Sequence, residues 1–165
     1  MNTISIIWKQ IRSHVFVCLF FLAISLIYFA PKFQGMQLLQ GDIEKYIEAS
    51  QEAREYYAKE GVGTSWTGSM FSGMPTYHIT TQGGPVNLLN YLEMPFKDLG
   101  SSDCGVVFFS LVSCYILMLL LGANIPVAIL GAIAFSFSSY SLIILQAGHI
   151  TKAWAMAYMP LILSG

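Results

Sequence analysis

The sequence is short of charge. Only 10% of its 165 residues are Asp, Glu, Lys or Arg, whereas 55% are hydrophobic, and the mean hydropathy is +0.61. Soluble globular chains carry about 25% charged residues, because a surface covered by water needs polar groups. The composition therefore favours a membrane protein over a soluble domain.

The sequence also lacks a basic excess and a cysteine framework. Eight Lys and Arg stand against nine Asp and Glu, which leaves no surplus of positive charge to neutralise the phosphates of a nucleic acid. Cys18, Cys104 and Cys114 are too few and too widely spaced for a disulfide scaffold or a zinc site. We expect packing roles for the cysteines, no nucleic-acid partner, and no cofactor or metal ligand set, with dependence on a divalent metal left open.

Three apolar runs are present, and each is about as long as the ~20 residues that cross a bilayer as a helix. The sequence predicts membrane helices at residues 15–30, 104–122 and 126–145, with residues 1–14 as a cytoplasmic segment before them. The exit from the first run, Tyr28-Phe29-Ala30, lacks the small residues of a signal-peptidase site, so we expect a retained anchor. The short spacer between the second and third runs predicts a helical hairpin.

The expected fold class is all-α, with polytopic transmembrane helices and a long extracytoplasmic loop that contains amphipathic helices. Lys9 and Arg12 flank the first span, whereas residues 31–103 carry five basic and nine acidic residues. The positive-inside rule then places the amino terminus in the cytoplasm and the loop 31–103 outside, together with a turn at 146–152. Residues 153–165 are apolar but too short to cross, and are either interfacial or the start of a further, truncated membrane segment.

The long loop begins with a predicted helix over Asp42–Glu60, in which apolar residues recur at steps of three and four. Asp42 is well placed as the N-cap of this helix, and the functional alternative is a catalytic carboxylate close to the membrane. A solvated face accounts for Glu44, Glu48, Glu52 and Glu55.

The next part of the loop, Gly61–His78, is rich in glycine and aromatic residues and shows neither helical nor strand periodicity. Long ordered loops of this kind tend to be functional. Trp66, Phe71 and Tyr77 would stack on sugar rings or lie on the lipid headgroup layer. The stretch Leu88–Phe96 is predicted to be an amphipathic segment that rests on the membrane.

Several motifs resemble those of the large YfhO-type bacterial membrane proteins, in the form typical of Bacteroidetes. They are Gln40-Gly-Asp42, the segments 66–77 (WTGSMFSGMPTY) and 135–140 (FSFSSY), and residues 147–160 (AGHITKAWAMAYMP). This family is similar to polytopic glycosyltransferases of the C-type fold in the bacterial cytoplasmic membrane, which transfer a sugar from a polyprenyl-phosphate carrier to an extracytoplasmic acceptor. The resemblance implies that the chain is the amino-terminal portion of a longer protein.

The resemblance also implies roles for individual residues. The family's acidic catalytic residue in the first extracytoplasmic loop matches Asp42. Lys152 and His149 would supply the cation that balances the lipid phosphate, although both would equally serve as interfacial anchors by snorkelling. Trp66, Tyr77 and His78 complete the predicted substrate-binding set. The alternative function is a non-catalytic membrane scaffold or a flippase-like component of envelope assembly.

Overall fold

The computed structural model describes residues 3–80, 89–97, 99 and 101–165. The described chain is mostly helical and divides into a membrane unit, Met1–Leu38 with Asn90–Gly165, and a loop unit, Leu39–Leu89. The helices of the membrane unit are α1 Thr3–Tyr28, α2 Ala30–Phe33, α5 Leu89–Lys97, α6 Ser102–Leu120, α7 Ile125–Ser136, α8 Ser139–Ala147 and α9 Ile150–Ser164. The loop unit contains α3 Gly41–Ala49, α4 Gln51–Glu60, β1 Trp66–Thr67, β2 Met74–Pro75 and a 3₁₀ turn at Thr76–His78.

Three helical segments are long and apolar enough to cross a membrane: Ile11–Tyr28, Ser102–Leu120 and Ile125–Ala147. They confirm the three predicted membrane helices, with shifted ends. The first helix starts at Thr3 rather than near Val15, since residues 3–14 contain neither glycine nor proline to interrupt it. Its last residue is Tyr28, two residues earlier than predicted.

Helix α6 is the most buried of the three spans, with 61% of its residues buried, against 17% and 22% for the other two. It packs against α1, α7 and α9, and its Leu111 has no exposed surface. On α7, Ala128 and Ala132 are completely buried, and Gly131 lies against the Met118 side chain of α6. The small residues of the third span thus allow the close helix packing that the hairpin requires.

The third span is interrupted, which the sequence analysis missed. Helix α7 ends at Ser136, and Ser138 caps the start of α8 by accepting a hydrogen bond from the Ser141 backbone N–H. The Ser141 hydroxyl also donates to the Phe135 carbonyl oxygen, at 3.3 Å. Serine side chains that bond nearby backbone groups in this way compete with helical hydrogen bonds. The third span, predicted over 126–145, therefore consists of two consecutive helices.

Side-chain hydrogen bonds connect the helices within the membrane unit. Ser113 of α6 donates to the Ala157 carbonyl oxygen of α9 at 2.7 Å, and Ser136 of α7 donates to Ser110 of α6 at 2.9 Å. His14 of α1 lies 2.8 Å from the Tyr115 hydroxyl of α6. Each bond satisfies a polar group that would otherwise face an apolar surrounding.

Candidate functional site

Asp42 lies in the first turn of α3, and the prediction that it is the N-cap is wrong. The N-cap is Gln40, whose carbonyl oxygen accepts hydrogen bonds from the backbone of Ile43 and Glu44. Gly41 starts the helix, so Asp42 is its second residue, where its negative charge is still favoured by the helix dipole. The predicted helix Asp42–Glu60 is also two helices, with the break at the fully buried Ser50.

A short antiparallel β-ribbon follows, in a segment where the sequence showed no strand periodicity. Trp66 pairs with Pro75 and Thr67 with Met74. The ribbon is fixed to α4 by Glu52, whose carboxylate accepts hydrogen bonds from the Thr67 hydroxyl and the Gly68 backbone N–H. These bonds, that from Thr67 first, lower the pKa of Glu52 from its ordinary value. Glu52 is exposed, as predicted, and it also anchors the ribbon to α4.

The turn of the ribbon holds an aromatic side chain out into the surroundings. Phe71 is 84% exposed, and both Phe71 and Ser72 have positive φ angles, 52° and 60°. A left-handed backbone costs a residue with a Cβ about 1–2 kcal/mol. Gly73 follows with φ 118°. The Trp66 indole occupies the space that a Cβ at residue 73 would need. The Trp66 ring and Gly73 thus fix the turn that presents Phe71.

Tyr77 and His78 belong to the 3₁₀ turn that follows the ribbon. Both are exposed, and their ring centres lie 4.1 Å apart. The turn is attached by the neighbouring Thr76, which is buried and donates its hydroxyl hydrogen bond to the Thr64 carbonyl oxygen. Tyr77 and His78 thus form an exposed aromatic pair beside the ribbon.

His149 and Lys152 lie at the start of α9, in the membrane unit. His149 is the N-cap residue of α9, and Lys152 belongs to the first helical turn, where the sequence analysis expected a loop to 152. Lys152 is exposed, and its ammonium lies 5.2 Å from the centre of the Tyr140 ring. A cation over an aromatic ring suits an interfacial anchor as well as a phosphate ligand.

A cavity of about 320 Å³ lies at the end of the first span, and the sequence analysis did not find it. Its walls are largely apolar, and the lining includes the charged residue Lys32. The complete lining is Tyr28, Phe29, Pro31, Lys32, Met36, Gln37 and Leu38. The sequence signal was a lysine directly after a membrane helix, which is ordinarily only an interfacial anchor.

Lys32 forms an ion pair with Asp103, in the first turn of α6. The Asp103 side chain is 4% exposed and that of Lys32 is 22% exposed, so the pair is largely removed from water. Burial lowers the pKa of the Lys32 ammonium from its ordinary value. The pair connects the exit of the first span to the entrance of the second.

Helix α5 is held on the membrane unit by a second polar cluster. Glu93 accepts a hydrogen bond from the Tyr158 hydroxyl at 3.3 Å and pairs with Lys97, whose ammonium lies 5.7 Å from the Trp154 ring centre. Close backbone contact adds to this, because a Cβ on Gly105 would come within 1.8 Å of the Phe96 carbonyl oxygen. The amphipathic segment predicted over Leu88–Phe96 is helical from Leu89 onward, and Leu88 lies outside the described residues.

The candidate residues thus fall in both units. Asp42, Trp66, Tyr77 and His78 belong to the loop unit, and His149 and Lys152 to the membrane unit. Within the described part of the chain, no group of three or more His, Cys, Asp or Glu side chains is arranged to hold a metal ion.

Comparison of the chain with models of known protein families, with curated proteins and with solved structures finds no match. The resemblance to YfhO-type proteins therefore rests on the sequence motifs.

Proposed function

We propose that this chain is part of a membrane glycosyltransferase-like protein that transfers a sugar from a polyprenyl-phosphate carrier to an envelope acceptor. It would act on the outer side of the bacterial cytoplasmic membrane. The distribution of Lys and Arg supports a cytoplasmic amino terminus and an extracytoplasmic loop unit. The motifs that resemble those of YfhO-type proteins support the activity.

The observation that carries this proposal is the cavity beside Lys32. Its apolar walls suit an isoprenoid chain, and the ammonium group suits the phosphate at the end of that chain. A volume of about 320 Å³ is at the lower end of the range of ligand pockets, about 300–1,000 Å³. Because Lys32 is paired with Asp103, a phosphate would share the cation with that carboxylate.

Asp42 is the proposed general base. In glycosyl transfer the acceptor oxygen forms a bond to the anomeric carbon, the bond from that carbon to the phosphate oxygen breaks, and the acceptor proton must leave. Asp42 would take that proton, while polyprenyl phosphate departs with its negative charge. Since Gln40 rather than Asp42 caps α3, the carboxylate is not needed as the helix cap. Trp66, Tyr77 and His78 are proposed to contact the sugar.

Transfer of labelled sugar in membranes that contain the full-length protein tests the role of Asp42. Removal of a general base typically lowers a rate by about 10²–10⁴, which is the loss expected for Asp42→Asn. Glu48→Gln is the matched control, because Glu48 is an exposed carboxylate on the same helix. Normal transfer by Asp42→Asn would contradict the assignment. An absence of transfer by the wild-type protein with every lipid-linked sugar supplied would favour the scaffold or flippase-like alternative.

The cation that receives the phosphate is tested by two further variants. The sequence assigns this role to Lys152 with His149, and the cavity adds Lys32 as a second candidate. Lys32→Met combined with Asp103→Asn removes both charges of the buried pair and leaves no unpaired ion. We expect this double variant to raise the KM for the lipid-linked donor more than Lys152→Ala does. The opposite order would assign the phosphate to Lys152.

A further inference from the structure

The loop unit is charged in one part and uncharged in the other. Helices α3 and α4, between Asp42 and Glu60, contain six acidic and three basic residues. The following twenty residues, Gly61–Thr80, contain no Asp, Glu, Lys or Arg. The charged side chains of α3 and α4 must stay hydrated. The second part, which forms the ribbon, has no charged side chain that needs water.

The uncharged part carries large exposed aromatic side chains. Phe71 is 84% exposed, Tyr77 67% and Trp66 58%. The left-handed backbone at Phe71 and Ser72 keeps Phe71 at the tip of the ribbon turn. Strained backbone of this kind is retained where the surrounding structure enforces it, and it clusters at functional positions. The tip is therefore an apolar feature that needs a partner other than water.

The loop unit is attached to membrane helices at both ends. Leu39 follows the end of the first span, Tyr28, by eleven residues, which reach at most about 40 Å when fully extended. At the other end Leu89 is the first residue of α5, and the second span follows that helix. Because consecutive spans are joined on one side of the membrane, both attachments hold the loop unit near the same bilayer face. The lipid bilayer is thus the apolar surface that always lies close to the loop unit.

We infer that the tip of the ribbon, Met70–Gly73 with Phe71 at its centre, inserts into the headgroup region of the bilayer. Aromatic side chains are enriched in that region, and the absence of charge from Gly61–Thr80 means that no ion is desolvated there. The tip has no charged side chain with which to bind a charged partner surface. The contact is independent of catalysis, and it holds equally if the protein is a scaffold.

Fluorescence quenching on the full chain in phosphatidylcholine nanodiscs tests this contact. A Phe71→Cys variant is labelled with the environment-sensitive nitrobenzoxadiazole dye, and Glu55→Cys, at an exposed position on α4, is the matched control. The parent chain, labelled in parallel, gives the background from Cys18, Cys104 and Cys114. Nanodiscs leave both membrane faces open to iodide, and brominated lipids report contact with the bilayer.

We expect the dye at position 71 to emit at shorter wavelength than the dye at position 55. It should be quenched by brominated lipid and protected from iodide, whereas the control should show the reverse pattern. Equal quenching of both positions by iodide would overturn the inference, because the tip would then lie in water. Protection of position 71 from both quenchers would also overturn it, because protein rather than lipid would then cover the tip.

Discussion

The contacts that stabilise the membrane unit internally differ from those that stabilise the loop unit internally. In the membrane unit, apolar side chains such as Phe21 and Leu111 have no exposed surface, and the helices pack through small residues. Among the described residues of the loop unit, Ala53 is the sole buried hydrophobic side chain, and the other buried positions are Ser50, Thr67, Thr76 and Thr80. The membrane unit therefore depends on packing, whereas the loop unit depends on particular hydrogen bonds. Substitutions in the membrane unit should therefore lower the free energy of unfolding more than substitutions in the loop unit.

The largest effect is expected from Gly105→Val in the membrane unit. A Cβ at this position would stand 1.8 Å from the Phe96 carbonyl oxygen, which is backbone and cannot move aside without displacing α5. We expect a loss in the free energy of unfolding above the roughly 1–3 kcal/mol typical of overpacked cores. Unfolding by dodecyl sulfate in mixed micelles measures this loss.

Gly131→Ala is the matched control for that experiment. The added methyl group would meet the flexible Met118 side chain at 3.0 Å, and this side chain can shift. A cost for Gly131→Ala equal to that for Gly105→Val would show that the contact between α5 and α6 has no special role.

The next effect in size is expected from Asp103→Asn, which leaves Lys32 without its carboxylate. Breaking a buried ion pair from one side costs about 3–5 kcal/mol, and the partial exposure of Lys32 places the expected loss at the lower end, about 3 kcal/mol. Adding Lys32→Met should recover much of this loss, because the second substitution removes the unpaired charge. The same unfolding assay measures both variants. If the losses in the free energy of unfolding from the two substitutions simply added, the ion pair between Lys32 and Asp103 would be contradicted.

The smallest effect is expected in the loop unit, at Glu52. Its pKa is lowered in the folded chain by the hydrogen bonds from Thr67 and Gly68. The stabilisation from this carboxylate is therefore present above its unfolded pKa, and it is lost as the pH falls through the lower, folded value. The protection of residues 64–76 from hydrogen exchange, taken relative to the intrinsic exchange rate at each pH, should fall over that acidic range.

Glu52→Gln provides the control for the pH dependence. The glutamine amide does not titrate. In this variant the protection of residues 64–76 from hydrogen exchange should therefore not show the fall at acidic pH that is expected for the parent chain. An unchanged pH profile would show that Glu52 does not anchor the ribbon.

The same contrast between the units explains what could be predicted from the sequence. Apolar runs of membrane length predict helices well, because a chain in lipid must satisfy its backbone hydrogen bonds internally. The three spans and the hairpin were found in this way. The break at Ser138 was not, because it depends on hydroxyl groups that bond the local backbone.

The loop unit was predicted less well, for the same physical reason. Glu52 reaches the ribbon through hydrogen bonds to residues fifteen and sixteen positions away, and hydrophobic periodicity carries no sign of such a bond. In the membrane unit, the pairing of Lys32 with Asp103 was also missed, because the two residues are 71 positions apart. Asp42 was placed correctly near the start of a helix but not at its N-cap.

The proposed chemistry requires the loop unit to lie outside the cytoplasm. Labelling of intact cells with an impermeant thiol reagent tests this most directly, with Glu55→Cys on α4 and Ala123→Cys in the turn between α6 and α7. The account predicts that position 55 reacts in intact cells and that position 123 reacts only after the membrane is permeabilised. Labelling of position 123 but not of position 55 in intact cells would contradict it.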